Sequence, residues 1–200
     1  MCLPCLKDLS WLSNDSCPKC GLPSHLSLHC GACLSVNPYF DETKALFSYN
    51  FPINAVIQQY KYQHQLSLAH TFAALMLKHF KLKDTDLIIP MPLHPKRLKE
   101  RGFNQSLEIA RLLSTSLNIP SRHVCERIKF SPPQASLPIK DRVNNMKDAF
   151  ICNEDLTGQN IILIDDVMTT GASLNALAKA VKAKGASHVE CWLIARTLTQ

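Results

Sequence analysis

The chain switches repeatedly between two hydrophobic periods. Leu68, Phe72, Leu75 and Met76 stand at i, i+4, i+7 and i+8, a single apolar stripe that predicts a helix over Leu66 to Phe80 and assigns the stripe to the core. Ile53 to Tyr60 carries a shorter helical signal. The period then changes at Leu87-Ile88-Ile89-Pro90-Met91-Pro92, an apolar run stopped by prolines, which reads as a buried strand. Helical spacing returns with Ile109, Leu112, Leu113 and Leu117 before Pro120. Ile161 to Ile164 is a continuous aliphatic run and a second buried strand. Leu174, Leu177, Ala178 and Val181 predict the helix after it, closed by Gly185, and His188 to Arg196 is the last strand. Ahead of these, Pro38-Tyr39-Phe40-Asp41 and Phe47-Ser48-Tyr49 read as a short strand, with a boundary at Pro52. From Ser121 to Phe150 regular signals fade around Ser131-Pro132-Pro133, and the stretch is expected to be a mobile, functional loop. Strand–helix–strand occurring twice implies right-handed crossovers and an α/β fold with a mostly parallel sheet flanked by helices.

A length of 200 residues, 46% of them hydrophobic, suits one α/β core with a small appendage and excludes a large multidomain assembly. No apolar run approaches the roughly 18 to 20 residues that span a bilayer, so no membrane insertion is expected. The first residues lack a charged segment followed by an apolar one, so the expected compartment is the cytoplasm. Charge adds a localised feature. Residues 94–147 hold 11 Lys and Arg against 4 Asp and Glu, a local +7 within a formal +6 for the chain. A solvent-facing basic segment of this kind attracts nucleic acid, nucleotide or pyrophosphate.

Cysteine spacing identifies the appendage. Six of nine cysteines form three C-x-x-C pairs, Cys2 with Cys5, Cys17 with Cys20 and Cys30 with Cys33. In a reducing compartment such pairs read as metal knuckles, and two of them joined by a short loop make a tetrahedral Zn(Cys)4 ribbon. Cys17, Cys20, Cys30 and Cys33 are the best quartet, with Gly21 placed where a turn around the metal favours positive φ. Cys2 and Cys5 are left to an upstream knuckle, to a site completed by His25 or His29, or to the reduced state. A redox-active C-x-x-C is the alternative, disfavoured because no βαβ pattern surrounds the pairs. Cys125, Cys152 and Cys191 sit in apolar contexts as core thiols.

The sharpest chemistry lies in Ile161-Ile-Leu-Ile-Asp165-Asp166-Val-Met168-Thr169-Thr170-Gly171-Ala172-Ser173. Residues 165 to 172 are expected to form the loop at the strand's carboxyl end, where open α/β sheets bind ligands. Met168, Thr169, Thr170, Gly171, Ala172 and Ser173 offer backbone N–H groups, hydroxyls and one residue without a Cβ at a helix start, a phosphate site. Asp165 and Asp166 are placed to accept hydrogen bonds from sugar hydroxyls, so a phosphorylated ribose satisfies both halves. Neither dinucleotide nor P-loop glycine patterns occur.

These residues resemble the 5-phosphoribosyl-1-pyrophosphate (PRPP) motif of type I phosphoribosyltransferases. Together with Cys17-Pro-Lys-Cys-Gly-Leu-Pro, Cys30-Gly-Ala-Cys, Tyr60-Lys-Tyr, Pro90-Met-Pro-Leu-His-Pro-Lys-Arg-Leu-Lys-Glu-Arg-Gly-Phe-Asn-Gln105 and Pro133-Gln-Ala-Ser-Leu, the chain resembles the ComF family along nearly its whole length. The resemblance implies a zinc ribbon over residues 1–37, shortened because longer members carry a further C-x-x-C, and a type I phosphoribosyltransferase-like domain over 38–200. It implies that Asp165 and Asp166 hold the ribose, and that the loop Pro90 to Pro95, with Pro92, Leu93 and His94, faces pyrophosphate. Lys96, Arg97 and Arg101 would neutralise pyrophosphate with Mg²⁺, and Arg142 would lie on a closing hood. The chemistry implied is displacement at the ribose C1 carbon through an oxocarbenium-like state. Family members are linked to DNA uptake and natural transformation on single-stranded DNA, with DNA-uptake or recombination proteins as partners. On that reading Lys96, Arg97, Lys99 and Arg101 contact DNA phosphates, and Phe103 either stacks on bases or anchors its own loop. A nucleobase salvage or biosynthetic phosphoribosyltransferase is the alternative.

Overall fold

The computed structural model describes residues 3–13, 15–63, 65–130 and 148–198. Four strands form one parallel sheet in the order β1 (Glu42–Ser48), β6 (His188–Arg196), β5 (Asn160–Met168) and β2 (Leu87–Pro90). Successive side chains of a strand point to opposite faces, and in β5 both sets are apolar. Ile161 and Leu163 face one core with Leu174, Leu177 and Val181 of helix α7 (Ala172–Lys182). Ile162 and Ile164 face a second core. That core is built by α3 (Ile53–Tyr62), α4 (Ser67–His79) and α6 (Gln105–Leu117). Burial on both faces is why this strand reads as an unbroken aliphatic run.

Two expected elements fall elsewhere. The first strand spans Glu42–Ser48, starting after the first aromatic segment that signalled it and ending within the second, at Phe47 and Ser48. Its alternation is hidden by Lys44, whose ammonium lies 2.6 Å from Glu190 on β6, so a charge occupies a strand interior with its partner directly beside it. The stretch Ser121 to Phe150 is not wholly irregular. Cys125–Arg127 (β3) and Phe150–Cys152 (β4) pair antiparallel, with Cys125 opposite Cys152, and Val124, Cys125, Phe150 and Cys152 fill the α7-side core. Residues 131–147, including Arg142, lie outside the described residues.

At the amino end, α1 (Leu3–Lys7) precedes Leu9 and Trp11, which join the larger body. Leu9 is in the second core, and the Trp11 ring stands 4.6 Å from that of Phe47. The cysteine segment follows, with α2 (Gly31–Ser35) starting inside its second knuckle. No helix of the described residues is long and apolar enough to cross a membrane.

Candidate functional site

The connection after β2 leads to α6 on one face of the sheet, while the connection after β5 leads to α7 on the other. Where adjacent parallel strands send their loops to opposite faces, a crevice opens at the carboxyl ends, the usual ligand position in open α/β sheets. Of the residues singled out in the sequence, Asp165, Asp166 and residues 168–173 stand at the end of β5, and Pro92, Leu93 and His94 follow β2.

On the β5 side the strand runs on through Asp165 and Asp166 to Met168, four residues past the expected end at Ile164. Asp165, Val167 and Met168 pair with Leu193, Ala195 and Arg196 of the long β6, and this ladder keeps both acids on the sheet. The loop proper is Thr169 to Gly171, and Ala172 and Ser173 form the first turn of α7. Gly171 caps that helix at φ +79, and a Cβ there would lie 2.6 Å from Met168 Cε, so the turn needs glycine. Thr170 Oγ1 accepts the Ala172 N–H at 3.3 Å, and the Asn175 N–H returns to the Gly171 carbonyl at 2.8 Å. The cup around this turn, of about 30 Å³, is lined by Asp165 and residues 167–174. Its donors are the N–H groups that any helix start leaves unsatisfied, suited to an anion.

The acids are not equivalent. Asp166 is buried and its Oδ1 lies 2.8 Å from the Lys61 ammonium of α3. Burial works against the charge of Lys61, but Asp166 overcomes it and raises the ammonium above its ordinary value. Asp165 Oδ1 accepts the Asp166 N–H at 2.8 Å and the Ser106 hydroxyl at 3.3 Å. Its carboxyl is pushed up to about 7, first by burial and second by the neighbouring charge of Asp166. A carboxyl that titrates near neutrality can exchange a proton at a binding crevice. Lys61 and Ser106 were not singled out as site residues. Lys61 carried a readable signal, because it follows Ile53, Ile57 and Tyr60 on the buried side of α3, a lysine where the helical period asks for an apolar residue.

On the β2 side, Pro92, Leu93 and His94 form the connection to α5 (Pro95–Arg101). His94 caps it, its Nδ1 accepting the Lys96 N–H at 3.2 Å. This helix carries Lys96, Arg97, Lys99 and Arg101, so the basic stretch is ordered at its start. Lys96 and Arg97 lie 5.2 and 5.9 Å from the Phe130 ring centre, and Arg101 lies 5.3 Å from that of Tyr62. The segment Arg101-Gly-Phe-Asn-Gln105 is a joint. Asn104 caps α6 by accepting from the N–H groups of Ser106 and Leu107, and donates to the Met91 carbonyl at 3.0 Å. Gln105 takes a bond from Arg101 and its carbonyl accepts the buried Tyr60 hydroxyl at 2.8 Å. Phe103 packs against Tyr60, 5.8 Å between ring centres, within the second core. This packing anchors its loop.

The four thiols of Cys17, Cys20, Cys30 and Cys33 converge, all within 4.8 Å of one another, and Cys20 Sγ stands 3.6 Å from Cys30 Sγ. Gly21 adopts φ +70 as its turn requires, and the Cys30 N–H donates to Cys17 Sγ at 3.4 Å. Burial pushes Cys20 up to about 11 and Cys33 higher still. At Cys17 burial opposes ionisation, but backbone N–H donors outweigh it and bring the thiol to about 7. Four soft sulfur donors crowded into one half-buried cluster fit a tetrahedral metal ion, which relieves the cost of ionising them together. His25, His29 and Cys5 are exposed and are not among the grouped ligands. Cys2 lies outside the described residues.

A family model described as the phosphoribosyl transferase domain matches residues 104–199. Competence protein F of Haemophilus influenzae is 32% identical over 208 residues, covering 98% of this chain and 90% of that protein. DNA utilization protein YhgH of Escherichia coli is 31% identical over 91% of this chain and 84% of its own length. Competence protein ComFC of Bacillus subtilis is 27% identical over 98% of this chain and 84% of its own length.

The state of Asp165 is testable by pH. Its folded value of about 7 exceeds the roughly 3.9 of an unfolded aspartate, so between those values the folded state binds more protons and stability falls as pH rises. Urea denaturation between pH 5 and 8 should show the unaltered chain losing stability relative to Asp165→Asn, the gap levelling off above about pH 7. A gap that does not change with pH would mean that Asp165 is ionised throughout.

Proposed function

The chain belongs to the competence protein F (ComF) family, and from that premise we propose that it binds PRPP in the crevice between the ends of β2 and β5. We further propose that it acts in DNA uptake during natural transformation, in association with single-stranded DNA. The observation that carries the first part is the convergence of the α7 turn and Asp165 on one small cup, with Asp166 next to it on β5. The turn supplies N–H groups and hydroxyls to the 5′-phosphate, and the acids accept from the ribose hydroxyls. Lys61 holds Asp166 in place and balances its charge, leaving Asp165 as the softer member of the pair. Arg97 and Lys96 at the head of α5 answer the pyrophosphate. Mg²⁺ takes oxygen ligands and retains water, which suits a carboxylate beside a pyrophosphate. When bound, it would neutralise charge developing on that group.

The second part rests on relatives whose names refer to competence and DNA utilization, and on the exposed Lys96 and Lys99 of α5. A row of cations on a helix tracks a phosphate backbone without reading its sequence. DNA-uptake or recombination proteins are the protein partners this role calls for. The thiol cluster holds Zn²⁺ as a structural ion, its four ligands leaving no open position.

Three measurements test these readings. Thr170→Ala should weaken PRPP binding about tenfold in calorimetry, in line with loss of a hydrogen bond to a charged group. Gly171→Val should weaken it further through the φ and the Met168 contact. Unchanged affinity in both variants would return the segment to an ordinary turn. Salt titration of single-stranded DNA binding should lose roughly 0.7 in slope for each phosphate contact removed when Lys96, Arg97, Lys99 and Arg101 are neutralised. Asp165→Asn with Asp166→Asn should leave that slope intact. An unaltered slope in the basic variant would remove DNA from the α5 surface. Elemental analysis should find one zinc per chain, lost on Cys20→Ser with Cys33→Ser; a stable metal-free protein would exclude the ribbon.

A further inference from the structure

Arg196, the last residue of β6, is 3% exposed and carries its charge into the space between the cysteine cluster and the phosphate loop. Its Nε donates to the Cys20 carbonyl at 2.8 Å. Its Nη1 donates to the carbonyls of Met168 and Thr197, each at 2.9 Å, and to that of Thr169. One guanidinium therefore holds the backbone of a thiol-bearing residue and the backbone on which the α7 turn begins.

The setting makes this tie specific. Three successive carbonyls of the first knuckle are bonded to the sheet. Pro18 accepts from the Thr43 N–H at 2.9 Å, Lys19 from the Thr43 hydroxyl at 2.7 Å, and Cys20 from Arg196. Thr43 fixes the knuckle to the edge strand; Arg196 alone of these donors also bonds at the phosphate loop. A mostly apolar cavity of about 620 Å³ lies between the cysteine segment, at Ala32 and Cys33, and α7, at Ala172 and Ala176, and Cys20, Met168 and Arg196 also line it, so Arg196 ties the two parts together beside a gap that packing leaves open. The Arg196 stem runs beside the knuckle turn, its Cγ 3.8 Å from where a Gly21 Cβ would lie. Arginine suits the place because its fork of fixed donors stays charged when buried and can address several carbonyls at once.

We propose that Arg196 is a positioning residue that couples the two sites, so that an ordered metal-bound knuckle holds the phosphate loop in its binding shape and a bound phosphorylated ribose in turn holds the knuckle closed. The coupling rests on the zinc and PRPP readings given above. It acts through position: if the Cys20 turn relaxes, Arg196 loses one fixed end and the Met168–Thr169 carbonyls lose their restraint. Coupling between binding sites is reciprocal, so the same factor must appear in both directions.

The test uses the full, zinc-loaded chain, a zinc-indicating chelator and ribose 5-phosphate, which engages the loop without the metal-binding pyrophosphate. Saturating ribose 5-phosphate should tighten the unaltered protein's hold on zinc, read at equilibrium as the extent of zinc release to the chelator, on the order of fivefold or more, the lower range of such couplings. In Arg196→Met, zinc release should be indifferent to the sugar phosphate and its calorimetric affinity should fall; Arg196→Lys should restore part of both. Thr43→Val, which removes a knuckle bond that does not reach the loop, should increase zinc release while leaving the ligand-dependent factor in place. That contrast distinguishes coupling from a general loss of support. If ribose 5-phosphate binds the unaltered chain by calorimetry and zinc release does not respond, the coupling is wrong and the PRPP reading stands. If ribose 5-phosphate does not bind at all, both fall. The comparison within the unaltered chain decides the matter even if Arg196→Met fails to fold.

Discussion

Strand β5 is paired along both edges and covered on both faces, so its interior accepts only apolar side chains and its polar groups must be answered where it leaves the sheet. Asp165 and Asp166 stand at that limit, still on the ladder to β6 but within reach of α3 and α6. A carboxylate taken out of water is costly without a partner, and two adjacent ones are costlier. The fold responds asymmetrically: Lys61 pairs with Asp166, while Ser106 and a backbone N–H serve Asp165. The remaining mismatch is stored as the raised proton affinity of Asp165, which is how a structural constraint becomes a property of the crevice.

The same constraint explains the joint at Arg101 to Gln105. Lys61 meets Asp166 only if the end of α3 is held against the start of α6. Tyr60 bonded to the Gln105 carbonyl, Phe103 beside Tyr60, and Asn104 reaching back to Met91 hold these parts together. The segment looks from its charge like a ligand-facing loop. In the structure its central residues are chiefly architectural, and the cations that meet solvent are those before it on α5. Function and support are thus interleaved within ten residues, and substitution there would disturb the acid pair without touching it.

What was legible in the sequence follows from this layout. β2, β5, β6, α4, α6 and α7 were readable because their periodicity is local and their faces are buried throughout. The acid pair and the turn after it were readable because they are contiguous. β1 was located only at its end, at Phe47 and Ser48, because Lys44 interrupts its pattern, and its justification, Glu190, is on another strand. Ser106 lies 59 residues from Asp165 and Arg196 lies 176 from Cys20, distances over which no spacing rule operates. The thiol quartet was readable for the opposite reason, since its ligands fall in two short repeats, and only the way it is attached to the sheet was hidden.

That attachment bears on why a small cysteine-rich segment and a parallel sheet occur in one chain. The knuckle buries few apolar residues, Leu22 packing beside three buried thiols, so it lacks a core adequate to fix its own orientation. Its orientation comes from Thr43 and Arg196, which belong to the edge and the center of the sheet. Arg196 ends the strand next to the one that carries the acids, and a buried arginine at that point is satisfied only when the knuckle and the loop both present their carbonyls. If either withdraws, a charged group is left with unmet donors in the interior, a penalty larger than that of an ordinary lost hydrogen bond. The arrangement therefore favours states in which the knuckle and the loop after β5 are ordered together, because one side chain bonds to both.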